Sequence, residues 1–98
     1  MSSLDGGYCV HPQLGEKEMA VFEYAMKDHV GMDFKPVAVA TQVVNGINYI
    51  FICTGSPVVL NPETKLYAVK IYTQFAHSVA PKVELVSIDE IDVGRLIK

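Results

Sequence analysis

The dipeptide Asn45-Gly46, set between two apolar runs rich in β-branched residues, constrains this chain more than any other stretch. A tight two-residue reversal of the primed type needs positive φ at both central positions, and Asn followed by Gly reaches that region at the lowest steric cost. Val37-Ala38-Val39-Ala40-Thr41 leads into the turn, and Ile47-Asn48-Tyr49-Ile50-Phe51-Ile52 leads out of it. The pattern predicts two antiparallel strands, over about 37–44 and 47–54. On the first, Val37, Val39 and Val43 are expected on one face with Thr41, and Ala38, Ala40 and Val44 on the other. The second carries apolar residues in both parities, which marks a central strand covered on part of each side. Val43 and Val44 stand beside the tip, where turn chemistry usually places polar residues. Held out on a stiff reversal, two branched apolar side chains make a binding edge.

Around that hairpin the other elements follow from periodicity. Met19, Phe22, Met26 and Val30 recur at steps of three and four, with Ala25 widening the stripe, so a helix is expected from Gly15 to Val30. Glu16 suits its start and Gly31 its stop. Pro36 bars the helix from running on into the first strand. Residues 54–65 carry Gly55, Pro57, Asn61 and Pro62 and read as mostly loop. Over 66–75, Tyr67, Val69, Ile71, Thr73 and Phe75 alternate with Ala68, Lys70, Tyr72 and Gln74, as in a half-buried strand. Residues 76–82 form a second loop. From Val83 to about Ile91 the apolar parity changes midway, which predicts a bulge. Met1 to Pro12 shows no sustained period and contains Gly6-Gly7, so it reads as a flexible amino-terminal arm.

The expected fold is α+β: one long helix packed across a four- to five-stranded antiparallel meander, in a single domain over residues 1–98. A chain of 98 residues builds one modest core and no second. With 8 Lys plus Arg against 11 Asp plus Glu, net −3, and no basic cluster, nucleic acid is a poor partner. No apolar run approaches the roughly 20 residues that span a bilayer, so no membrane association is expected. The first residues lack a basic-then-apolar leader, and two cysteines, Cys9 and Cys53, fit reduced thiols in a cytosol. A leader already removed would instead place the chain outside the cell, and a Cys9–Cys53 bridge stays open at this level.

Gln42-Val43-Val44-Asn45-Gly46 resembles the Gln-Val-Val-Ala-Gly signature of the cystatins, reversible inhibitors of papain-like cysteine proteases, with Asn45 replacing the usual Ala. Leu4-Asp5-Gly6-Gly7 is similar to that family's apolar-then-glycine arm, with Asp5 a departure. The order of helix and strands is similar too, so the resemblance covers nearly the whole chain. It implies a wedge that occludes a protease cleft with three segments: Leu4, Gly6 and Gly7; Gln42 to Gly46; and Phe75, Ala76, His77 and Ser78 in the second loop. That last segment matches neither the Pro-Trp nor the Leu-Pro pair usual there. The absence of a leader and of paired disulfides resembles the intracellular stefin branch. The resemblance further implies a monomer able to exchange its helix and first strand as a domain-swapped dimer.

The wedge reading implies neither cofactor nor catalysis. An enzyme built on Cys9 or Cys53 would need a histidine poised beside the thiol, and His11, His29 and His77 have no spacing that fixes one there. Nor do they show metal-ligand spacing. The alternative that keeps the fold is a cystatin-like interaction module with weak or no protease inhibition.

Overall fold

Each strand of this protein pairs with the next in sequence, so one antiparallel meander carries the whole fold. In the computed structural model, residues 2–4, 7–74 and 82–92 are described. The elements are β1 (Ser2–Leu4), β2 (Tyr8–His11), α1 (Glu16–Met26), β3 (Met32–Val44), β4 (Gly46–Pro57), β5 (Lys65–Gln74) and β6 (Lys82–Ile91). Their order across the sheet is β1-β2-β3-β4-β5-β6. The class is α+β, one helix on an antiparallel sheet: β2 to β6 make a five-stranded body, and the three-residue β1 edges it.

The amino-terminal segment differs from its sequence reading. Cys9, Val10 and His11 pair with Thr41, Ala40 and Val39, and Ser2 to Leu4 fold back antiparallel on β2. The segment lacks a long apolar alternation, but β3 is thirteen residues long and offers it an unpaired edge. Backbone hydrogen bonding supplies what side-chain pattern does not.

Helix α1 starts at Gly15, whose N–H donates to Glu18 Oε1 at 2.9 Å, half of a capping box. Glu16 and Glu18 place negative charge where the first-turn N–H groups are unpaired. The helix stops at Met26, short of the expected Val30, which is 85% exposed and packs on nothing in the core. Phe22 is the buried centre of the packed face, flanked by Val21, Ala25 and Met26. Its ring sits 5.1 Å from that of Phe51.

Below it, Val39, Phe51, Val69 and Ile88 lie side by side on β3, β4, β5 and β6. The first three are at most 1% exposed. Tyr49 and Ile71 lie in the next row towards the hairpin, and Cys53 lies in the row on the other side. Two bulges keep this face apolar. On β3 the register slips between Pro36 and Ala38, so Val37 stands out at 52% exposure. That corrects the expectation that Val37 shares a face with Val39. Phe34 and Val39 face the core together only because the extra residue flips the parity. On β6 the slip opposite Lys70 and Ile71 turns Val86 outward, as the parity change in the sequence predicts.

Strands β3 and β4 run well past their predicted ends, to Met32 and Pro57. Gly55 is what lets β4 continue: the rings of Phe34 and Tyr67, edge-to-face at 5.2 Å, fill the space where its side chain would stand. The protein is expected to lose about 3–4 kcal/mol of stability on Phe22→Ala, the cost of emptying a buried aromatic site. Urea unfolding measures it, and the m-value should stay unchanged.

Candidate functional site

Two described reversals expose adjacent branched side chains: the β4–β5 connection with Val58, Val59 and Leu60, and the β3–β4 hairpin, whose turn is braced by side-chain contacts from β5. Val43 is 72% exposed and Val44 45%. The turn is tighter than the primed two-residue form that Asn-Gly predicts. Val44 lies opposite Gly46 with Asn45 alone between them. Gly46 takes φ +141, whereas Asn45 does not enter positive φ; Asn61, at φ +55, is the one described non-glycine residue that does. The preference for Asn-Gly therefore rests here on the glycine.

Two contacts fix the tip against β5. The Tyr72 hydroxyl donates to the carbonyl of Asn45. Gly46 is buried against the end of β5, where a Cβ would stand on the Thr73 carbonyl oxygen and 2.6 Å from the Tyr72 hydroxyl. Just behind the tip, Asn48 Nδ2 donates to Gln42 Oε1 at 3.0 Å, tying the two strands together side chain to side chain. Gln42, Asn48 and Tyr72 lie in one row across β3, β4 and β5. In the alternation of its strand Tyr72 falls with Ala68, Lys70 and Gln74, and the pattern gives it no role. The β4–β5 register, which puts it opposite Asn48, is what brings it under the turn.

The sheet brings the other expected segments to the same end only in part. Gly7, at φ +82, precedes β2, whose Cys9 pairs with Thr41, so it leaves the sheet beside Val43 and Val44. Thr73 pairs with Ile47 and Gln74 with Lys82, so the β5–β6 connection also leaves from the hairpin end. Phe75, Ala76, His77 and Ser78 lie outside the described residues, as do Gly6 and the side chain of Leu4. The Leu4 backbone is described, opposite Tyr8 in β1.

Of the residues of the rival readings, Cys9, Cys53, His11 and His29 are described, and His77 lies outside the described residues. Cys9 and Cys53 are both free thiols. Cys9 shares a row with Thr41 and Tyr49, four residues from Cys53 along the sheet. That is about 13 Å of strand, beyond the roughly 7 Å between Cα atoms that a disulfide tolerates. Cys53 is fully buried, and burial pushes its thiol up to about 12. His11 Nε2 and Thr41 Oγ1 are 2.8 Å apart, and the His29 ring packs on Phe34 at 5.6 Å. Among the described residues no three of His, Cys, Asp and Glu gather as ligands, and no helix is long and apolar enough to cross a membrane.

Comparison of the chain with protein families, with curated proteins and with solved structures finds no match. The functional reading therefore rests on the residues of this chain and their geometry.

Gly46→Ala is expected to release the tip, because any side chain there displaces β5 backbone or the Tyr72 ring. Amide exchange at Val44 to Ile47 should quicken at least tenfold, while exchange in the Phe51 row stays protected. Cys53 should resist iodoacetamide at neutral pH until the protein unfolds. Its folded-state pKa lies above the unfolded value of 9.0, so the unfolded chain sheds the proton first as pH rises. Burial also raises the Tyr49 phenol, reinforced by Glu18 and opposed by its hydrogen bond to Thr73. Stability should hold below about pH 9 and fall as pH rises towards about 12, by up to about 1.4 kcal/mol per pH unit from Cys53. Urea midpoints across that window measure it, and Cys53→Ala should flatten the slope.

Proposed function

We propose that this protein is a reversible inhibitor of papain-like cysteine proteases, acting as a wedge that fills the active-site cleft. The observation that carries the reading is the valine pair. Val43 and Val44 stand exposed at the end of a hairpin whose turn is anchored to β5 through Asn45, Gly46 and Tyr72. The similarity of Gln42 to Gly46 to the cystatin signature names the kind of groove such a wedge enters. In this reading the chain performs no chemistry. It occupies the cleft with a turn that offers no peptide bond in a cleavable pose.

Magnitudes show what else must take part. Burying a valine contributes about 1.5–2 kcal/mol, so the pair supplies roughly 3–4 kcal/mol before the cost of association. Nanomolar affinity requires about 12 kcal/mol. The remainder falls to backbone hydrogen bonds at the turn and to the flanking segments at Leu4 to Gly7 and Phe75 to Ser78. Rigidity contributes indirectly, because a turn held before binding has little ordering cost left to meet.

The pairing of Ser2–Leu4 with β2 favours a second reading, a fold of this kind used as an interaction module with weak or no protease inhibition. A backbone engaged in an edge ladder is not free to extend into a cleft. Titration against papain separates the two. Dose-dependent inhibition that Val44→Asp weakens at least a hundredfold, with thermal stability unchanged, is the expected result. Inhibition that survives this substitution intact would remove the hairpin from the mechanism. No inhibition by the wild-type chain would leave the interaction module.

A further inference from the structure

We infer that the sheet face opposite the helix is a self-association surface, closed by a second copy of this chain about a two-fold axis. An antiparallel sheet with a helix on one face ordinarily turns polar residues outward on the other. Here the outward rows are apolar across three strands. Val10, Ala40 and Ile50 lie in one row on β2, β3 and β4. The adjacent row carries Ala38, Ile52 and Ala68 on β3, β4 and β5. Among the described residues the helix does not lie over them, since Phe22 and the side chains beside it meet the opposite face; packing within the face itself leaves Ala40 buried and Val10, Ala38, Ile50, Ile52 and Ala68 half-buried.

The same two rows carry opposite charges. The first continues from Ile50 to Lys70, and the second from Ala68 to Asp89. Both charged residues are exposed. Lys70 makes no ion pair within its own chain among the described residues, where the salt bridge is Lys65–Glu90. Among the described residues Asp89 accepts from the Ser87 hydroxyl, at 3.0 Å.

A two-fold axis running across the strands, between these rows, satisfies both features at once. It sets Ile50 over the partner's Ile52 and Ala40 over the partner's Ala38, small residues against each other where the sheets approach most closely. It also sets Lys70 over the partner's Ala68, one strand spacing of about 4.8 Å from the partner's Asp89, with sheets about 10 Å apart. An extended lysine spans that offset. Symmetry makes the ion pair twice, as an isologous interface requires.

The area decides the strength. Five strands at that spacing and four rows of outward residues give a face of about 24 by 25 Å. Two such faces bury about 1,200 Å² in total, the lower bound for a specific interface. A rapidly exchanging, concentration-dependent dimer is what such a surface supports. The outermost of these rows towards the hairpin carries Gln42, Asn48 and Tyr72, and Val43 to Asn45 lie beyond it.

Sedimentation velocity on the full chain, from about 10 to about 1,000 μM, tests this at the low end of interface sizes. A monomer–dimer equilibrium that re-equilibrates on dilution is expected. Lys70→Glu should raise its Kd about tenfold, Asp89→Lys likewise, and the double variant should restore it. Both side chains are exposed, so unchanged thermal unfolding confirms that each variant is folded. Three results would overturn the inference. One is a monomer throughout the range. Another is a dimer indifferent to both charge reversals. The third is a dimer that survives dilution for hours, the mark of exchanged strands.

Discussion

The stack of Phe22 on Phe51 is the contact on which the rest depends. Phe51 occupies the middle of the central strand, fully buried, with Val39 and Val69 beside it and one helix above. A single helix of eleven residues covers little sheet, so the core is only a few residues deep. Aromatic side chains supply the needed volume: Phe22, Tyr49 and Phe51 overlap with centroids 5.1 and 5.7 Å apart, and Phe34 with Tyr67 extends the layer towards the end of β4. Beyond that layer the described strands are held by backbone pairing, and at the hairpin tip also by the Tyr72 and Asn48 side chains.

That arrangement explains how a short chain can hold an apolar turn in water. Strands β3 and β4 run the length of the sheet, with their middles pinned under the helix. Their far end continues as a ladder to Val44 and Gly46, where Tyr72 and the end of β5 brace it. The tip needs no core of its own. Exposure of Val43 and Val44 is the consequence of a rigid ladder that outruns its cover, and a stiff exposed pair is suited to fill a groove in another molecule.

The two faces of the sheet divide the chemistry further. The covered face requires apolar residues and obtains them through bulges at Val37 and Val86 that correct the parity of β3 and β6. The uncovered face has no such requirement, yet Val10, Ala40, Ile50 and their neighbours are apolar there too. Val44 and the Gln42–Asn48–Tyr72 row share this face, so association through it would reach up to the base of the hairpin.

The helix centred on Phe22, the reversal at Asn45-Gly46, the central place of the second hairpin strand and the irregularity in the last one are legible in the residues alone. Those features are local: period, turn residue and parity are written within a few positions. The sequence also marked Val43 and Val44 as candidate site residues, because two valines beside a turn are anomalous without any partner. Other features emerge only once the strands are paired. Residues 8–11 have no strand pattern and become one because β3 offers an edge. Val37 leaves the core face because a bulge intervenes. The helix ends at Met26, and Val30 beyond it stands exposed while His29 turns onto Phe34. Tyr72 meets Asn45 across twenty-seven positions only because the β4–β5 register sets it there. Pairing register and edge availability are properties of two segments together, and no single stretch of chain records them.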